Sequence, residues 1–236
     1  PLNENQMKKL KFILTVALAL CTAGLFAQLA EMGTTSFGVR AGVNFQNLNG
    51  EDDTGDKLEN DLVARWHAGV NVDIPIAPDF YIQPGVMFIL KGAKNDDELF
   101  GQTVTSKLSL GYVEVPLHLV YKPVMGTGKM LLGLGPYVGY GVTGKYKIET
   151  SNGNETELDV EFQGEVDEGD STEDAIYIKP LDYGANLFAG YEFANMFSFQ
   201  VNTQLGLANI LPDVQGVDSD AKTTNTGFGV SLGLRF

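Results

Sequence analysis

The most informative segment of this chain is its last one, Phe228-Gly229-Val230-Ser231-Leu232-Gly233-Leu234-Arg235-Phe236. Apolar residues occupy every second position, and glycine, serine or arginine fills the positions between them. Because successive side chains of a β-strand point to opposite faces of the sheet, this period of two predicts a strand with one apolar face.

The same alternation recurs along the chain, in eight stretches that include this one. Short turns and long connections alternate between the stretches, as in an up-and-down meander. The sequence therefore predicts an all-β fold, an eight-stranded antiparallel up-and-down transmembrane β-barrel over residues 36–236. The stretches are 37–45, 66–74, 80–90, 113–121, 130–142, 183–193, 197–207 and 228–236, and the long connections are 46–63, 93–107, 147–178 and 211–224.

Composition excludes several classes of protein. The 236 residues carry a formal net charge of −14, which argues against a phosphate-binding surface and against a nucleic-acid partner. A single cysteine makes neither an intramolecular disulfide nor a thiolate cluster. No apolar run reaches 18 residues, so a conventional membrane-spanning helix is excluded as well. No cofactor is expected.

The first residues predict an exported protein. A basic segment from Met7 to Lys11 precedes an apolar segment, and a small residue, Ala27, marks a plausible cleavage site. Residues 1–27 are therefore expected to be upstream residues plus a signal peptide, and residues 28–35 a short lead into the barrel. Lipidation of Cys21 is an alternative that the bulky preceding Leu20 disfavours.

Alternation alone fits both a soluble, lipocalin-like barrel and a barrel in lipid, so the second face of the strands has to decide. Half of the 28 glycines fall on that face, and glycine is expected where backbone and side chains crowd together. This face therefore looks into a crowded lumen, and the apolar face looks into the bilayer. Within lipid, among strand structures only a closed barrel satisfies every backbone polar group.

Charged residues on the lumen face balance, four against four. Charges in a confined space must be paired or hydrated, so they predict an interlocking ion-pair plug. The predicted network comprises Arg40, Arg65, Lys91 and Arg235 with Asp73, Glu114, Asp182 and Glu192. Aromatic residues near strand ends predict the two girdles of a membrane barrel, and the lipid-facing or girdle set comprises Phe37, Trp66, Phe80, Tyr121, Tyr140, Tyr183, Phe193, Phe197 and Phe236.

Several segments of the chain share short motifs with a known family. They are Tyr81-Ile82-Gln83-Pro84-Gly85, residues 111–117, residues 133–140, residues 182–186 with 190–193, and Gly206-Leu207-Ala208-Asn209-Ile210. Together these segments resemble the outer-membrane β-barrel domain of Bacteroidota, often called PorT-like or porin family. The resemblance implies a small barrel of the OmpA or OmpX type in the outer membrane of a Gram-negative bacterium, and a last strand ending at Phe236 that the barrel-assembly machinery recognises.

The sequence leaves two functions open and disfavours two others. A structural or surface-recognition barrel with a filled lumen, binding an unidentified extracellular ligand at its long acidic loops, is the leading hypothesis, and a narrow ion or small-solute channel is the alternative. Catalysis is not expected, because His67 and His118 lie toward opposite ends of the barrel and no nucleophile with a nearby base can be assembled. A specific metal site is not expected either: the acidic loops, a solvated and mobile segment in this interpretation, lack EF-hand spacing.

Overall fold

We describe the fold from a computed structural model of the chain. Residues 1–33, which include the predicted signal peptide and most of the predicted lead, lie outside the described residues. The structure describes residues 34–51, 54–58, 60–99, 102–166, 175–214, 219 and 221–236.

The described residues form strands and connections. No helix among them is long and apolar enough to cross a membrane. The strands are β1 (Ser36–Glu51), β2 (Val63–Ala77), β3 (Phe80–Leu99), β4 (Gln102–Tyr121), β5 (Val124–Met125), β6 (Gly128–Thr150), β7 (Glu155–Phe162), β8 (Glu165–Val166), β9 (Ala175–Ile178), β10 (Leu181–Glu192), β11 (Phe197–Gly206), β12 (Asp213–Val214) and β13 (Lys222–Arg235).

A closed ring of long strands forms the body of the molecule. Each ring strand pairs antiparallel with the next, in the order β1, β2, β3, β4, β6, β10, β11 and β13. The last strand returns to the first, with Gly38 opposite Arg235 at one end and Glu51 opposite Lys222 at the other. The predicted all-β, antiparallel barrel class is confirmed, and the remaining strands are short additions to this ring.

The barrel wall, formed by the eight ring strands, has apolar side chains outside and polar side chains inside, the reverse of a water-soluble protein. The exposed residues include a long series of large apolar side chains, among them Phe37, Val138 and Leu232. The buried residues include many polar or charged side chains, such as Asn44, Lys91 and Asp182. Such a surface is stable only against hydrocarbon, since exposed apolar area on this scale is unfavourable in water.

The aromatic residues of the predicted girdles lie at two levels. Of the nine, all are exposed except Tyr121, which is half-buried and stacked on Phe80 with ring centroids 4.7 Å apart. Trp66, Tyr140 and Tyr183 lie toward the end with long connections, which we call the outer end. The others lie at the opposite end, which we call the periplasmic end, because short turns of membrane barrels face the periplasm.

The outer end is more ordered than the loops predicted from sequence. Residues 93–107, predicted as a long connection, instead continue β3 and β4 as a hairpin up to the pair Leu99 and Gln102. Within residues 147–178, β7 pairs with β6 and with β9, which corrects the prediction of a long loop for the part that is described. Most residues of β7 are exposed to solvent, as predicted. The alternation rule missed these strands because outside the membrane neither face needs to be uniformly apolar.

An apolar cluster closes the outer mouth of the lumen. Residues from the wall, including Leu110 and Tyr112, meet residues from the outer segments, including Val160 and Ile178. Phe162 packs edge-on against Tyr112 with ring centroids 6.0 Å apart. The chain above the membrane thus folds back over the barrel and stabilises its mouth by burying apolar area.

Candidate functional site

The periplasmic half of the lumen holds one compact ion cluster. Asp73 receives the ammonium of Lys122 and the guanidinium of Arg235, the latter at 3.0 Å. Glu192 lies 3.1 Å from the same ammonium and 3.7 Å from the guanidinium. The Gln83 amide donates a 2.7 Å hydrogen bond to Asp73. Two cations and two carboxylates, from three strands and the turn after β4, therefore compensate each other.

The network predicted from the sequence did not include Lys122. The side chain is almost fully buried. A signal was available, because Glu114, His118 and Lys122 share the parity of the lumen face of β4. A lysine at a strand end, with an aliphatic stem that reaches back into the barrel, fits that pattern.

The outer half of the lumen holds a second ion cluster centred on Lys91. Its ammonium lies 2.5 Å from Glu114 and 2.7 Å from Asp182, and all three side chains are almost fully buried. The ammonium also lies 4.4 Å from the centre of the Tyr137 ring, a cation–π contact. Gln204 donates to Glu114 at 3.0 Å. One cation thus links two carboxylates from β4 and β10, directly beneath the apolar cluster.

The two remaining arginines of the predicted network form no ion pair with a described residue. Arg40 donates a 2.9 Å hydrogen bond to Gln200, and its guanidinium lies 5.7 Å from the centre of the Phe188 ring. Arg65 lies at the outer rim and donates to the carbonyl of Leu108 at 3.0 Å. The structure therefore divides the predicted eight-residue network into two ion clusters and two arginines held by neutral groups.

A small cavity lies in the lumen between the two ion clusters. Its volume is about 40 Å³, and Arg40, Glu114, His67 and His118 line it. Several polar atoms near it have no protein partner among the described residues, including His118 Nδ1 and the Arg40 Nε. A polar cavity of this size holds a few water molecules, which would satisfy those atoms.

The histidines correct the sequence interpretation on two counts. His67 and His118 line the same cavity, although they were expected to be too far apart to share a site. In addition, His67 Nε2 lies 2.8 Å from the Ser231 hydroxyl and its Nδ1 lies 3.1 Å from the Asn44 carbonyl oxygen. A hydroxyl with a base in reach does exist, so that prediction was wrong, because Ser231 and His67 are 164 residues apart in sequence.

This hydroxyl–imidazole pair lies buried in the lumen, between the two ion clusters. The cavity beside it admits only water-sized molecules, and the ion clusters lie beyond it on both sides. The Ser231 hydroxyl also donates a hydrogen bond to the side-chain carbonyl oxygen of Asn202, at 3.1 Å. We find no set of three or more metal-ligating side chains in the described part of the chain.

A closed antiparallel ring with an apolar outer band, aromatic rims and a polar, ion-paired lumen defines an integral outer-membrane β-barrel protein. Residues 26–211 match the family described as outer membrane protein beta-barrel domain. The match covers well over half of the chain, and the protein belongs to this family. Family and fold together place it in the outer membrane.

Comparison with solved structures finds distant likenesses, each covering 86% of this chain and 100% of the other. One is Ail, the attachment invasion locus protein of Yersinia pestis, in complex with the heparin analogue sucrose octasulfate, at 13% identity and a TM-score of 0.38. Neisserial surface protein A has 10% identity and a TM-score of 0.43. A major outer membrane protein from Thermus thermophilus has 11% identity and a TM-score of 0.40. A search of curated proteins gives no match.

Proposed function

We propose that this protein is a closed, non-catalytic barrel whose role is structural or lies in surface recognition at its outer end. The observation that carries the proposal is the blocked lumen. Two ion clusters fill it, and the space between them measures only about 40 Å³.

The charges in the lumen support a plug rather than an ion path. The periplasmic cluster is neutral, with two cations and two carboxylates. The outer cluster has one more carboxylate than cations, and Arg40 in the adjoining cavity compensates it. An ion crossing the lumen would have to break these contacts in a water-poor space, where unpaired charges are costly.

The outer end supports recognition, because it is an ordered scaffold that rises above the membrane. Ion pairs link neighbouring strands there, including Lys107 with Glu149 at 2.8 Å and Lys147 with Glu155 at 2.8 Å. Ordered loops on a rigid barrel are where binding residues of such proteins usually lie. An unidentified extracellular ligand is the partner that this arrangement would take.

Planar-bilayer recording of the purified protein distinguishes this proposal from the narrow channel. We expect no stable openings from the wild-type protein. A variant that empties the outer cluster, Lys91→Ala with Glu114→Ala and Asp182→Ala, provides the comparison for a widened lumen. Steady, ion-selective steps from the wild-type protein would refute the plug and support the channel.

The absence of catalysis is tested at Ser231. A fluorophosphonate probe labels serine hydroxyls activated by an adjacent base. We expect no labelling of the folded protein, since the hydroxyl is buried in the lumen. Labelling of the wild-type protein that Ser231→Ala abolishes would contradict the proposal and indicate a lumen hydrolase.

We also propose three narrower features on sequence grounds. Residues 1–27 act as upstream residues plus a signal peptide, and the chain belongs to the PorT-like, Bacteroidota branch with an OmpA-type barrel. The barrel-assembly machinery recognises the last strand through Phe236, whose side chain is exposed at the barrel wall. Crosslinking from position 236 in intact cells, compared with the variant Phe236→Ala, tests the last of these.

A further inference from the structure

A pocket on the outer wall combines basic side chains with an apolar floor. It measures about 330 Å³ and is lined by residues of β2, β3, β4, β6 and β7. Its lining includes four cations, Arg65, Lys107, Lys145 and Lys147, and a single carboxylate, Glu157, which pairs with Lys145. This concentration of positive charge is unusual in a chain with a net charge of −14, and the whole-chain charge does not set the charge of this pocket.

The height of the pocket matches the headgroup level of the outer leaflet. Leu90 and Gly111 form its lower part. Gly111 lies two residues above Val113, which is exposed in the apolar band opposite Tyr140. Arg65 lies next to the girdle residue Trp66, on its outer side along β2. The pocket therefore has its apolar part against the acyl chains and its basic part against the headgroups.

The cations are available to an anion from the membrane. Arg65 has no carboxylate partner in the described residues, and its Nε makes no hydrogen bond to them. The ammonium groups of Lys107 and Lys147 pair with Glu149 at 2.8 and 3.1 Å, and these side chains are about one-third exposed. Partly exposed ion pairs of this kind are screened by solvent, so their lysines can turn to a stronger anion.

We propose that this pocket binds a phosphate-bearing glycolipid of the outer leaflet, with the phosphate held by Arg65, Lys107 and Lys145 and an acyl chain lying against Leu90. A phosphate offers several strong acceptor oxygens to these donors, and basic pockets at membrane interfaces recognise anionic lipid headgroups by this chemistry. Lipid binding at this pocket does not depend on whether the lumen conducts ions. A failure of lipid binding therefore leaves the closed-barrel proposal untouched, and a conducting lumen leaves the lipid site untouched.

The test is a titration of the purified protein in detergent micelles with bisphosphorylated lipid A, followed through the fluorescence of Trp66, the only tryptophan in the chain. Native mass spectrometry counts the bound lipid. The pocket variant is Lys107→Gln with Lys145→Gln. The matched control is Lys94→Gln with Lys179→Gln, which removes two ion-paired lysines that do not line the pocket.

We expect the pocket variant to bind lipid A about 30-fold more weakly, from the usual contribution of each basic residue near a membrane surface. The control should bind as the wild type does, and Lys107→Arg with Lys145→Arg should retain binding. The heat-modified mobility of each variant on gels establishes that its barrel has folded.

Three results would overturn the proposal. Equal binding by the pocket variant and the control would remove the pocket from recognition. Equal binding of dephosphorylated lipid A would show that acyl chains alone are recognised. Displacement of lipid A by inorganic phosphate at similar concentration would indicate a general anion site instead of a lipid site.

Discussion

Replacing Lys91 with methionine tests the lumen plug most directly. The substitution keeps the length of the side chain and removes its charge, which leaves Glu114 and Asp182 without the ammonium that both contact. Removing one partner of a buried ion pair costs about 3–5 kcal/mol, because the other charge stays buried and uncompensated. Two carboxylates lose their cation here, so we expect a loss at the upper end of that range.

A compensated variant separates the charge from the packing. Lys91→Met combined with Asp182→Asn removes one cation and one carboxylate at nearly constant volume and leaves Glu114 for Arg40 to compensate. Buried ion pairs replaced by neutral groups of similar shape often recover the lost stability. We therefore expect the free energy of unfolding of the double variant to return to within about 2 kcal/mol of the wild type.

The assay is urea unfolding of the protein in lipid vesicles, followed by the fluorescence of Trp66. Lys94→Met is the matched control, because Lys94 pairs with Asp96 at the exposed part of the same strand. We expect this control to unfold close to the wild-type midpoint. If Lys91→Met unfolds at the same urea concentration as the control, or if the double variant recovers no stability, the ion cluster does not stabilise the lumen and the plug is refuted.

Two further predictions concern the lipid face and the outer hairpin. Leu232 is 66% exposed in the apolar band, so Leu232→Arg should lower the free energy of unfolding by about 2–4 kcal/mol. Leu207→Arg, at the level of the outer girdle, should lower it by only about 0–1 kcal/mol. Equal losses in the vesicle assay would contradict the assignment of this face of the barrel to the lipid. Hydrogen bonds from lysines lower the pKa of Glu149 and Glu157 below the ordinary value of 4.5. Their ion pairs therefore stabilise the outer strands above about pH 4.5, and this contribution is lost as the pH falls through the lowered pKa values. Amide exchange in residues 145–149 should accelerate at pH 3 relative to exchange in β11. Unchanged relative protection would show that these ion pairs do not stabilise the outer strands.

Most of the membrane-embedded fold is predictable from the sequence, because the lipid imposes a simple rule on it. Each lipid-facing position must be apolar and every backbone group must find a partner, so the strands and their closure follow from an alternation such as that of residues 228–236. The glycines on the second face then indicate which face looks into the lumen. Outside the membrane this constraint disappears. The hairpin at residues 93–107 and the strand β7 were missed for that reason.

For the residues of the lumen, the sequence predicts which face they lie on but not which residues they contact. The parity of Lys91, Glu114 and Asp182 places them inside, but parity carries no information about height or about which strands face each other across the lumen. Only the closed ring brings Lys91 to Asp182, 91 residues away, and Ser231 to His67, 164 residues away.

From the sequence alone it follows that this chain is a membrane barrel with its apolar face outward, because the alternation predicts strands and the glycines and balanced charges of the second face predict a crowded lumen. The folded chain was needed to show that the charges divide into two clusters, that Lys122 belongs to one of them, and that four basic side chains meet at the outer rim. Strand tilt and ring closure fix the neighbours of each side chain in space, and both arise from all the strands together rather than from any one of them.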